Sequence, residues 1–325
     1  LVKRLTTPLL RTRTFSLAQR VLSPRVSSSD RLSADGNGGL ASEVDTILDH
    51  SSGPDSYTRD DELRSNVLND FDAQMGQIIR LAKSSGADII LVTPAANMKD
   101  FSPFKSEHRS GLNDDERQKW SGLFGSGEAF HQAGEFREAL ERLQAAATID
   151  DDRADLHYRI GQSQFALEQF DDAHASFVRA IENDICPLRA LPEIQQSVEQ
   201  AAIRHVVPLV DFRSIVEEAC REGYGHDSPG REFFLDHVHP TISSHRLLAL
   251  AIMQAMTLRG VLSPNDQWGD ASIEEATQNI ESRIDADLQT RALTNLAQVL
   301  GWAGKQEEAG PLAVRAVQMR ADAQL

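Results

Sequence analysis

In the stretch Phe233-Phe234-Leu235-Asp236-His237-Val238-His239-Pro240-Thr241 an aspartate stands three residues ahead of a histidine, just before an apolar run of helical character. One tight turn at that spacing brings a carboxylate to the Nδ1–H of the imidazole and leaves Nε2 open as a base. His239 is therefore the expected catalytic base and Asp236 the residue that orients it, with His237 as a neighbour. An activated serine to complete a triad is not visible. Gly53-Pro54-Asp55-Ser56 and Gly225-His226-Asp227-Ser228 neither follow a hydrophobic strand nor open a helix, and no Gly-x-Ser-x-Gly elbow exists. Asp236, His237 and His239, with His226 and Asp227 nearby, also offer metal-type ligands, but their spacing is non-specific and neither a metal nor another cofactor is expected.

The elements that must position these groups read as helix followed by strand, twice. A helix from about 60 to 85 carries the apolar stripe Leu63, Val67, Leu68, Phe71, Met75, Ile78, Ile79 and Leu81, and the β-branched run Ala87 to Pro94 follows it. A helix through Ile194 to Ile203 precedes a second such run, His205 to Asp211. Two buried strands of this kind predict α/β layering around a largely parallel sheet. Asn97 then falls just past the carboxyl end of the first strand, where such sheets hold their ligands. It is expected either to present its amide to an oxyanion or substrate hydroxyl or to serve the turn. Lys105 and Glu107 extend that loop as candidate pocket-lining residues. A further helix is expected from His245 to Met256.

Between the two strands the pattern changes. A shift of 34 residues pairs Gly127 with Gly161, Ala139 with Ala173, Leu143 with Phe177 and Ala146 with Ala180. A helix-turn-helix unit of that period, with small residues where helices cross, is the tetratricopeptide pattern, with Gly134-Glu135-Phe136 in the inter-helix turn. A third copy is expected near the C-terminus, where Leu293, Leu296, Ala297, Leu300, Gly304, Ala309, Ala313 and Ala316 take the same relative places. Its expected neighbour, the stretch 262 to 289, is degenerate, so its stacking partner is expected to be the Ile273 to Ile284 helix, another chain, or sequence beyond Leu325.

A formal charge of -16 excludes nucleic acid as the expected partner, because phosphate binding depends on Lys and Arg displacing counterions. No apolar run approaches the roughly 20 residues of a spanning helix, so a soluble chain is expected, with the compartment open. Cys186 and Cys220 cannot form a disulfide framework and match no CxxC or familiar metal spacing. Lys3, Arg4, Arg11, Arg13, Arg20 and Arg25 lie in an acid-free opening segment with Leu5, Leu9, Leu10, Phe15, Leu17 and Val21 at helical spacing, and residues 26 to 40 break the pattern. With Leu1 in place of Met, this reads as a helix cut from a longer protein.

The block Phe234 to Thr241, with the helix after it, resembles the last block of the SGNH or GDSL hydrolases, whose Asp-x-x-His supplies the acid and base of a serine triad. Taken with Ile89 to Phe104, the two-repeat insert and Pro187-Leu188-Arg189-Ala190, the chain looks like a bacterial tetratricopeptide protein carrying an interrupted SGNH-type domain. The resemblance implies an incomplete SGNH-like α/β fold over 1–112 and 188–260, a repeat insert over 113–187, and tetratricopeptide-like helices over 261–325. It also implies ester hydrolysis or acyl transfer, with His239 moving the proton, Asp236 holding the ring, and Asn97, Lys105 and Arg189 around a small acyl ester. In that family the nucleophile precedes the segment that begins here, so this chain by itself is expected to be inactive. The repeats imply a protein or peptide partner. The alternative is a non-catalytic scaffold for the repeats.

Overall fold

The structure is a computed structural model that describes residues 57–302 and 304–322. The opening basic helix and the Gly-Pro-Asp-Ser stretch lie outside the described residues. Helix α1 (Asp61–Ser84) starts where the Asp60 carboxylate accepts the N–H of Leu63, satisfying one of the free donors of the first turn. Helix α2 (Asp114–Gln132) starts with a reciprocal cap between Asn113 and Glu116. The order along the chain is α1, β1 (Leu91–Val92), α2, α3 (Phe136–Ala147), α4 (Ala154–Ala166), α5 (Phe170–Glu182), α6 (Pro192–His205), β2 (Leu209–Val210), α7 (Phe212–Tyr224), α8 (Ile242–Leu258), α9 (Asp270–Glu281), α10 (Ala286–Trp302) and α11 (Gln306–Asp322). Among the described residues no helix is long and apolar enough to cross a membrane.

The α/β architecture expected from the sequence is overturned. The described residues contain one sheet of two strands, each two residues long, paired in parallel with Leu91 opposite Leu209 and Val92 opposite Val210. The chain is predominantly helical and built in repeat-like hairpins, not around an SGNH-like sheet. The physical reason lies in what flanks each apolar run. Pro94 closes the first and Pro208 interrupts the second, and a proline has no N–H to extend a ladder. No third run of strand character is available in the described chain to cover the pair, so packed helices carry the core instead.

Within each repeat the helices approach closely because a glycine faces a large side chain. A Cβ on Gly127 would stand 2.7 Å from Leu143 Cγ, and one on Gly161 would stand 2.8 Å from the Phe177 ring. Only hydrogen fits there. Trp120, Leu143, Ala146, Leu156 and Ile160 form the core that joins the first hairpin, α2–α3, to the second, α4–α5. Tyr158, Phe177, Ala180 and Ile181 pack on the other side with Met98 and Leu191, and Leu68 of α1 and Ile194 of α6 close over them. The turns between paired helices need a left-handed residue. Gly134 supplies it at φ 78° and Glu168, 34 residues on, at φ 59°.

The C-terminal hairpin α10–α11 has the same design. Gly304 occupies its turn at φ 78°, and Leu293, Leu300, Ala309, Leu312 and Ala316 are buried between its helices. Among the described residues its core is closed by neither another repeat nor α9: Phe101, Phe104 and Leu235 from the loops after β1 and α7 pack against it.

Candidate functional site

Asp236 and His239 share one turn. The buried Asp236 carboxylate accepts the backbone N–H groups of Val238 and His239 on Oδ1, both at 2.8 Å, and meets His239 Nδ1 at 2.6 Å on Oδ2. The loop is closed behind the pair, where Leu235 N–H donates to His239 O at 2.8 Å and Thr241 N–H to Phe233 O at 2.8 Å. Thr241 caps α8, which ties the end of the turn to a helix. Burial by itself raises the pKa of Asp236, but the N–H groups of His239 and Val238, then the His239 ring, outweigh it and hold the group below the ordinary carboxylate range. An anionic, immobile carboxylate next to Nδ1 selects the tautomer with the proton on that nitrogen. The His239 side chain is 70% exposed, so Nε2 is open to solvent.

Asn97 is buried and committed to the same loop. Its Nδ2 donates to Asp236 O at 3.1 Å, its Oδ1 accepts Asp100 N–H at 3.0 Å, and its own N–H donates to His237 O at 3.0 Å. Arg189 reaches this assembly from the segment between α5 and α6. It is buried, and its Nη1 donates to the carbonyls of Asn97 and Phe101, each at 2.9 Å. Lys105 goes elsewhere: its Nζ bonds Tyr57 O and lies 3.7 Å from Glu107, while its N–H donates to Asp184 at 3.0 Å. The structure thus brings Asp236, His239, Asn97 and Arg189 into one connected group and directs Lys105 and Glu107 to the start of α1. A cavity of about 180 Å³ opens beside Asn97, Asp236 and Phe101 and is walled by Glu308, Leu312 and Arg315 of α11.

Three further groups support this site: His237, expected only as a neighbour, and Lys305 and Glu308, which sequence reasoning missed. His237 is wedged between the rings of Phe101 and Phe104, 5.1 Å from each, and its Nδ1 has no hydrogen-bond partner. Burial, aided by Arg189, His239 and Lys305 against the pull of Asp236, brings its pKa down to about 4, so it is neutral at pH 7. Lys305, buried in the turn of the C-terminal hairpin, sends its Nζ over the same two rings at 5.5 and 4.9 Å and donates to Ser102 O, Ser102 Oγ and Pro103 O. Glu308 accepts the N–H and Oγ–H of Ser102 at 2.9 and 2.6 Å. Charged residues in the turn and first helical turn of a repeat-like hairpin read as ordinary solvated surface, so nothing local marked Lys305 or Glu308.

The repeats take hold of the same loop. Tyr158 of α4 donates its hydroxyl to Lys99 O at 2.9 Å, the N–H of Asp155 donates to Ser106 Oγ at 2.8 Å, and Trp120 meets the His108 ring edge-on at 4.8 Å. The segment from Met98 to His108 therefore lies against α2 and α4, and part of the repeat surface is used within the chain. The paired antiparallel helices, glycine crossings and 34-residue offset define a helical-repeat protein. In agreement, a family model described as a TPR repeat matches residues 127–168, from the crossing glycine of α2 to the turn after α4. No curated protein and no solved structure matches the chain. The match does not reach the Asp236–His239 turn.

Proposed function

We propose that this chain is a protein-interaction scaffold in which the tetratricopeptide hairpins bind a protein or peptide. The observation that carries this reading is the repeat match over residues 127–168, together with the open face of α2, the terminal helix of the pair. Gln118, Ser121, Gly125 and Gln132 share that face at helical spacing and are exposed, and nothing lies within 4 Å of a Cβ added at Gly125. Repeat arrays present extended surfaces of this kind to partners, whereas α4 and the Trp120 side of α2 are engaged by the chain's own loop. The test is selection of displayed peptides on the full chain, followed by titration of the enriched sequences against wild type and Gly125→Arg. Saturable binding that Gly125→Arg abolishes supports the reading. Absence of enrichment, or binding indifferent to the substitution, ends it.

A second reading rests on one observation, the 2.6 Å contact between Asp236 and an otherwise open His239 ring. Such a pair is built to accept a proton at Nε2, and a water or hydroxyl held there would become a nucleophile toward a small acyl ester. No triad serine is assigned, so the expected activity is slow hydrolysis of an activated aryl ester without a burst. His239→Ala should remove it. Equal hydrolysis by wild type and variant sinks this reading and leaves the scaffold untouched.

A further inference from the structure

Cys220 lies on the buried side of α7, fully enclosed. Its Sγ is 3.2 Å from His226 Nδ1 and 3.8 Å from Glu232 Oε1, and the three potential ligand atoms all fall within 4.8 Å of one another. The N–H of Ser228 donates to the same Nδ1 at 3.4 Å, which puts the imidazole proton on Nε2; Nδ1 has a single lone pair, so an ion bound there would replace this long hydrogen bond. Glu232 is held from behind. Gly230 N–H donates to Oε1 at 2.9 Å and Lys99 Nζ to Oε2 at 3.0 Å.

A tetrahedral zinc ion, with bonds of about 2.3 Å to sulfur and about 2.0–2.1 Å to nitrogen and oxygen, sets its ligand atoms roughly 3.3–3.6 Å apart. The two distances from Cys220, 3.2 and 3.8 Å, bracket that spacing. Thiolate, imidazole and carboxylate together form a borderline-soft set that suits zinc rather than magnesium or calcium, which take oxygen. Lys99 is the opposing charge, but Asp100 binds it as well at 2.6 Å. With Cys220 as thiolate, the surroundings carry Cys220, Glu232 and Asp100 against Lys99 and Arg231, the latter paired with Asp100 at 3.1 Å, which leaves the site net negative.

We propose that Cys220, His226 and Glu232 form a zinc site whose fourth position is filled by water. The ion has a structural role that follows from its place in the fold. The His226 ring packs against Phe165 of α4 at 4.8 Å and Phe170 of α5 at 5.6 Å, while Cys220 belongs to α7. Zinc thereby fastens the loop 225–232 to α7 and, through His226, seats the second repeat against it. Binding displaces the thiol proton to solvent and changes no oxidation state.

The test uses the full chain, stripped with chelator, reduced, and titrated with cobalt(II) and then zinc alone. The expected result is one equivalent of cobalt with a thiolate-to-metal charge-transfer band, displaced by zinc, and a melting temperature raised by zinc. Cys220→Ser should lose both the band and the bound equivalent, and Cys186→Ser should keep them. Should Cys220→Ser fail to fold, alkylation of wild type mapped by mass spectrometry decides, because zinc must slow labelling at Cys220 and leave Cys186 unchanged. Substoichiometric cobalt without the thiolate band, or protection not confined to Cys220, overturns the site and leaves a buried thiol–imidazole hydrogen bond in its place.

Discussion

Gly161 faces Phe177 so closely that a Cβ added to the glycine would stand 2.8 Å from ring atoms Cδ1 and Cε1. Both residues are buried, and the ring cannot retreat without disturbing the packing of Met98 and Leu191. Gly161→Ala is expected to destabilise the protein by about 1–3 kcal/mol even though alanine favours helix, because overpacking outweighs propensity. Urea unfolding of the two proteins measures it. An unchanged or raised midpoint would refute the close-crossing account of the repeats.

Glu168 is the opposite case. It holds φ 59° in a turn where the first repeat places Gly134, and its side chain is exposed. A residue with a Cβ costs roughly 1–2 kcal/mol in the left-handed region. Relief of that cost is partly offset by the extra freedom glycine gives the unfolded chain, so Glu168→Gly should stabilise by about 0.5–1 kcal/mol. Thermal unfolding with a lowered midpoint would count against the argument.

His237 should make the protein acid-sensitive in a defined window. Its pKa falls from 6.5 to about 4 on folding, so between those values the unfolded chain binds the proton and the folded chain does not. Stability is complete above pH 6.5 and falls as the pH drops toward 4, by about 3 kcal/mol in all at 1.36 kcal/mol per pH step. His237→Phe, which keeps a ring between Phe101 and Phe104, should flatten that slope. Asp236 acts lower. Its depressed pKa contributes stability present above its ordinary value of 3.8 and lost as pH falls through the folded value, so the two losses separate. Equal slopes for wild type and His237→Phe between pH 6.5 and 4 would dismiss the assignment.

Lys305 joins the C-terminal hairpin to the loop that carries the candidate site. Lys305→Met keeps the length and the apolar stem but leaves Ser102 O, Ser102 Oγ and Pro103 O without their donor. A loss of about 1.5–3 kcal/mol is expected, the range for hydrogen bonds to a charged group. It should be localised. Hydrogen exchange in α10 and α11 should quicken while α4 and α5 keep their protection, and uniform quickening would contradict a docked, separable hairpin.

What could be read from the chain alone was what short separations govern. The 34-residue offset between Gly127 and Gly161 survives in one dimension because each hairpin repeats the same local packing, and the three-residue step from Asp236 to His239 needs only a single turn to close. Strand length was misjudged because apolar runs such as Ile89 to Val92 look alike whether a wide sheet or a pair of helices covers them, and that depends on partners far along the chain. Tertiary structure alone decided that Lys305 would meet Ser102, that Arg189 would brace Asn97, and that Cys220, His226 and Glu232 would converge. Contacts of that kind join residues on separate elements, and composition and periodicity carry no record of which loops the packed helices bring side by side.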